Sequence, residues 1–187
     1  MVKRITGTLS VRSIQQMQNE LKAYKAQLIS RCELLTKRLS EIGIEAAKMR
    51  LSSSTGDEER EMASYITFST EVDSSKHGVK TVMVASSGSI TRTWVTFDGA
   101  KSVDISPLLM VEFGSGLRAN NEHGGQYGMG QGTFPDQTHA FDPDGWYWQT
   151  VDGEWHHSFG ISPAMPMYHA YKAMVDAVYS VAVEVFG

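Results

Sequence analysis

Apolar residues recur at steps of three and four along one uninterrupted stretch of the chain: Ile14, Met17, Leu21, Tyr24, Leu28, Cys32, Leu35, Leu39, Ile42, Ala46 and Met49. That spacing belongs to a helix with a period of 3.6 residues, and at ~1.5 Å per residue it predicts a rod roughly 50 Å long. The pattern begins as a heptad, but the two consecutive steps of four from Tyr24 through Leu28 to Cys32 restore the period of a straight helix. The helix, expected over residues 10–50, is therefore read as covering a sheet of its own domain rather than supercoiling with a partner, with Gly43 as the place for a bend. A chain that must bury so long a stripe needs a broad partner surface, and the rest of the sequence is read for it.

Strands supply that surface. Residues 64–72 and 79–85 alternate polar and apolar across the turn-rich Asp73-Ser74-Ser75-Lys76-His77-Gly78 and read as a hairpin. Residues 91–97 and 100–105 flank Asp98-Gly99, a pair suited to a type I′ turn, and read as a second hairpin. Asp57-Glu58-Glu59-Arg60-Glu61 between helix and strands reads as a solvated charge run or a single helical turn. The apolar run Leu108 to Phe113, cut off by Gly114-Ser115-Gly116, reads as a further strand, so residues 63–113 form a β-rich section.

Residues 114–143 then carry five glycines between Gly124 and Gly132 and read as a long Gly-rich loop. Its Gly-Met-Gly-Gln-Gly is no phosphate loop, because neither a Lys-Ser pair nor a helix start follows. Residues 145–160 read as an aromatic hairpin about Asp152-Gly153. A two-residue turn there would pair Trp148 with His157 and Trp146 with Phe159, placing Trp146, Trp148, Trp155, His157 and Phe159 on one face. That face is either core beneath the first helix or an adhesive surface for another subunit. Ser162 and Pro163 read as cap and first residue of a closing helix over 163–185, with Met167, Tyr171, Met174, Val178, Val181 and Val185 as its apolar stripe. The fold class expected is α+β, one domain over residues 1–187, with both helices packed on an antiparallel β-sheet.

Composition narrows the chemistry. Of 187 residues, 41% are hydrophobic and 20% charged, enough to build an ordinary core. The net charge of -4 argues against a protein that grips nucleic acid by neutralising phosphates. No run reaches the ~18 apolar residues of a membrane span, and Met1-Val2-Lys3-Arg4 opens no secretory signal, so synthesis inside the cell is expected. Cys32, the single cysteine, falls on the helical stripe and reads as a buried inert thiol. No cofactor is expected, and no metal either: His156 and His157 are adjacent in a strand and point to opposite faces. No serine sits in a Gly-x-Ser-x-Gly elbow. An enzyme is not expected.

Two blocks of sequence carry a resemblance. Val111-Glu112-Phe113-Gly114-Ser115-Gly116, followed by Ser158-Phe159-Gly160-Ile161-Ser162-Pro163-Ala164-Met165-Pro166 and an Ala-containing amphipathic helix, resembles the neck, head-tail connector or tail-completion proteins of tailed bacteriophages, the family of gene product ten-like minor virion proteins. The resemblance spans the chain from first helix to last, although residues 91–105 look like an insertion. It implies a structural protein of the virion neck, made in the host cytoplasm, that forms a homo-oligomeric ring joining head to tail. It further implies contacts with other neck, portal-side or tail proteins, and DNA passing through without sequence-specific binding or any membrane.

Glu112 stands between apolar neighbours and is expected either at the strand end near a backbone N–H or a basic side chain of the same or a neighbouring subunit, or facing solvent from the strand in alternation with Val111 and Phe113. Tyr127, Met129 and Phe134 are expected as anchors by which the loop becomes ordered against a partner. Two other readings stay open: a carbohydrate-binding module with Trp146, Trp148 and Trp155 as a stacking platform, and a metal-dependent hydrolase using Glu154, His156 and His157.

Overall fold

A computed structural model describes residues 10–54, 56–75, 78–119 and 141–187. The fold is α+β, with a long N-terminal helix, a C-terminal helix and antiparallel sheets of two and four strands. Helix α1, Val11–Ser52, opens with Ser10 Oγ accepting from Ser13 N at 3.2 Å, and its 42 residues make a rod about 63 Å long. It runs unbroken through Gly43, which is buried instead of bent: a Cβ there would stand 3.0 Å from Met174 Cγ and 3.1 Å from Met83 Sδ. The missing side chain lets the two long helices and the first hairpin meet.

Helix α2, Asp57–Ser64, is longer than the single turn expected of the charge run, and it buries Glu59 and Met62. Strands β1, Ile66–Ser75, and β2, Gly78–Ser87, form the two-stranded sheet on which α1 lies. Thr81 Oγ1 donates to Thr36 Oγ1 at 2.7 Å across that interface. Strands β3, Ile90–Thr96, and β4, Gly99–Ile105, pair with Thr96 opposite Gly99, so the turn is Phe97-Asp98 rather than Asp98-Gly99. Phe97 and Asp98 keep negative φ, and Gly99 at φ 114° takes the strained position just after the turn, the manner of a glycine bulge.

Residues 107–113 are not a strand. Pro107–Phe113 is helix α3, with Ser106 as N-cap, Pro107 at its first turn, and the strong helix formers Leu108, Leu109 and Met110 behind it. A six-residue run that is apolar but for Glu112 is too short to show a period of its own, so cap and proline decide it. A 3₁₀ turn, Gly116–Arg118, follows.

Strands β5, Trp146–Gln149, and β6, Trp155–Ser158, complete the second sheet in the order β4-β3-β5-β6, joined to β3 through Val95 and Gln149. The strands therefore form two sheets, not one, and the long helix α1 lies on the two-stranded one. Helix α4, Pro166–Phe186, starts three residues later than Ser162-Pro163 suggests. A helix begun at Pro163 would carry Pro166 in its interior and force Met165 into the helical region that a following proline disfavours. Met165 is instead left-handed, at φ 53° and ψ 48°, and Pro166 takes the first turn.

Helices α1 and α4 run antiparallel. Arg50 Nε donates to Ala164 O at 3.2 Å, Arg38 meets Glu184 at 2.7 Å, and Arg31 reaches Phe186 O at 3.5 Å. Leu35, Leu39 and Ile42 are half-buried along this seam, and the fully buried residues of α1 are Ser40, Gly43, Ala47 and Leu51. The main core gathers at the other end, where Leu51, Met62, Ile66, Ile105, Val111, Ile161 and Ala164 come together.

Candidate functional site

The two sequence blocks that carried the resemblance close on each other next to that core. Ser115 N donates to Ile161 O at 2.9 Å and Ile161 N donates back to Ser115 Oγ at 3.0 Å. Ala164 N and Met165 N both donate to Val111 O, at 2.8 and 3.3 Å. The chain passes so near itself that a Cβ on Gly160 would overlap the carbonyl of Ser115. Both Ser115 and Val111 are almost wholly buried.

Glu112 is the polar centre of this clamp. It is buried, and its Oε2 and Oε1 accept from Met167 N at 2.8 Å and Tyr168 N at 3.2 Å. These are among the first N–H groups of α4, which no side chain of its own N-cap residue satisfies. A carboxylate from α3 thus caps α4 across 55 positions, with its charge at the positive end of the helix dipole. The expectation of a backbone N–H near Glu112 is met within the chain itself, on a helix rather than at a strand end.

Glu59 adds a second buried carboxylate, accepting from Ser162 N at 3.3 Å and lying 3.5 Å from Arg118. Sequence reasoning left Glu59 in a solvated run. The available signal was its place as the third residue of a helix after Gly56, a position from which glutamate folds back toward the cap. Glu59, Arg118 and Arg50 border a polar cleft of about 640 Å³ with Ser162 and Pro163. His169, one turn into α4, has its pKa lowered from the usual histidine value by burial first and by the Arg50 and Lys172 charges, with Glu112 opposing.

The aromatic hairpin departs from its expected register by one residue. Trp148 pairs with His156, Tyr147 with His157 and Trp146 with Ser158. The loop is longer than two residues: Gly153 N donates to Thr150 O, Thr150 N to Glu154 O, and Gln149 Nε2 to Gly153 O. Trp146 and Trp148 consequently share one face, and Trp155 lies on the other with Tyr147 and His157. The hairpin joins the edge of β3, with Trp155 67% and Tyr147 66% exposed, so it is no core beneath α1 and no single platform of three tryptophans. His156 stacks on Trp148 and His157 on Tyr147, at 4.5 and 4.2 Å. Among the described residues no cluster of His, Cys, Asp and Glu could hold a metal ion, and no helix is long and apolar enough to cross a membrane. Tyr127, Met129 and Phe134 lie outside the described residues. Cys32 is half-buried.

The remaining feature is the outer side of α4. Its polar residues His169, Lys172, Asp176, Ser180 and Glu184 occupy one strip, and Ala170, Val181 and Val185 are buried inward. A third strip, Tyr171, Val175, Val178, Tyr179 and Val183, is apolar and open, with Tyr179 82% exposed. A helix apolar on two sides normally lies between two partners. No protein-family model, curated protein sequence or solved structure matches this chain.

Proposed function

We propose that this chain is a structural subunit of a tailed-phage virion neck, a tail-completion or head-tail connector protein whose copies form a ring between the DNA-filled head and the tail. The observation that carries the reading is the open apolar strip on α4, a helix whose base is clamped by Glu112 and by the two motif blocks. Such a strip on a firmly held helix suits a part that is completed by assembly, because contiguous apolar surface on a lone subunit promotes association. The motif residues are used on structure: Ser115, Glu112 and Val111 make internal hydrogen bonds, which suits a scaffold role without catalysis. An overall charge of -4 suits a channel wall that DNA slides past without adhering.

The test is in vitro joining. Heads and tails from a lysate made without this chain should remain separate and should join when the purified protein is added. Heads that join tails equally well in its absence overturn the reading.

A further inference from the structure

Neither α4 nor the described part of the β1–β2 hairpin runs alongside the first part of α1. Helix α4 ends at the level of Arg31, where the guanidinium reaches Phe186 O, and the described end of the β1–β2 hairpin stops near Glu33, whose carboxylate accepts from Ser74 Oγ. Residues 11–28 continue beyond both as a helical arm about 27 Å long. Ile14, Leu21, Tyr24 and Leu28 extend the apolar stripe onto this arm, and all four are exposed, Leu21 by 55%. The same stripe, once past Arg31, is the one that seats α4.

We infer that the arm of α1 docks on the open strip of α4 in a second copy of this chain, the outer faces of Leu21 and Tyr24 meeting those of Tyr171, Val175 and Tyr179. The inference rests on the proposed function only in requiring that copies associate. Three observations converge on a second copy as the occupant. The arm and the open strip are of similar length, since α4 has 21 residues and spans about 31 Å. Both are apolar stripes at steps of three and four, the form that packs helix ridges into grooves. Finally, the arm cannot serve its own α4, because an unbroken helix that overshoots the end of α4 cannot double back along it.

The contact is head-to-tail, because the surface given differs from the surface received. Repeated, it closes into a ring or runs on as a filament. A single footprint of about 27 by 10 Å is smaller than the ~800 Å² per partner of a standard interface, so one contact alone is weak and the assembly grows with concentration.

Light scattering across a dilution series, on the wild-type protein and on Leu21→Glu and Val175→Glu, tests this. Both substituted residues are exposed, so circular dichroism should show intact folding in each variant. The wild type should associate, and each substitution should raise the concentration for half-association by about tenfold or more. Amine cross-linking of a mixture of isotopically heavy and light protein should join Lys22 or Lys25 of one copy to Lys172 of another. Association that neither substitution weakens, or heavy-to-light links confined to arm with arm, overturns the inference and leaves the ring itself standing. A monomer at every concentration overturns it too, and the head-tail joining assay then decides the proposed function separately. An arm already protected from hydrogen exchange in that monomer would assign its stripe to another segment of the same chain, and the inference would fall in that case as well.

Discussion

Glu112 Oε2 lies 2.8 Å from the backbone nitrogen of Met167, and with Oε1 on Tyr168 N the carboxylate replaces the side-chain cap that Met165 cannot give its helix. Two charge-assisted bonds in a buried site are worth more than a surface cap. Glu112→Gln keeps one acceptor oxygen, turns an amide toward the other N–H, and removes the charge. It should cost about 1.5 to 3 kcal/mol in urea unfolding. A loss under about 0.5 kcal/mol, the range of ordinary surface changes, would show that the cap contributes little.

His169 makes part of the stability depend on pH. Its folded pKa lies below the unfolded value, through burial first and then Arg50 and Lys172, so the unfolded chain binds the proton more readily. The contribution is fully present above the ordinary histidine value of about 6.5, and it is lost as pH falls from there through the folded pKa. His169→Asn should remove this term. Melting temperatures compared at pH 7.5 and pH 5.5 should fall less in the variant than in the wild type, and equal falls would count against it.

Much of this arrangement was legible in the chain, and the illegible parts share a cause. Helix α1 announces itself because its period is local and repeats many times over. The two hairpins of residues 66–105 show through alternation, although the turn at Phe97-Asp98 moved because Gly99 serves after the turn instead of within it. Helix α3 was hidden, since a short run of five apolar residues and Glu112 satisfies strand and helix alike and only Ser106-Pro107 breaks the tie. Side-chain and backbone bonds around Thr150 set the aromatic register one residue away from a two-residue turn. The clamp illustrates the limit: each motif block is visible alone, but nothing local tells that Val111 O will receive Ala164 N or that Glu112 will cap α4. Long-range partners are chosen by the whole fold.

Gly43 sits where α1 meets both α4 and β2, and a Cβ there would meet the flexible side chains of Met174 and Met83. Gly43→Ala gains ~1 kcal/mol of helix propensity and asks those thioethers to move by a few tenths of an ångström, so the net change should be small. Gly43→Leu has no such escape. It should destabilise by about 1 to 3 kcal/mol, because overpacking at a crossing pushes helices apart. Thermal unfolding of the pair checks this, and a leucine variant as stable as the alanine one would mean that the crossing is looser than it looks.

Gly160 and Gly153 separate strain from crowding. Both have positive φ, at 96° and 91°, so alanine at either must adopt a backbone that L-residues resist, at a cost of ~1 kcal/mol or more. At Gly153 the new Cβ would meet only Gln149 Nε2, at 3.9 Å, and Gly153→Ala should show the backbone term almost alone. At Gly160 the same Cβ would overlap the carbonyl of Ser115, whose own N–H is bonded to Ile161 O. Relief there requires the two motif blocks to part, breaking the Ser115–Ile161 pair and loosening the base of α4. Gly160→Ala should therefore cost at least about 2 kcal/mol more than Gly153→Ala in denaturant unfolding, with faster hydrogen exchange of the Ile161 and Ala164 amides. Equal losses for the two variants would mean that the blocks are not held in the close contact through which Glu112 and Ser115 act.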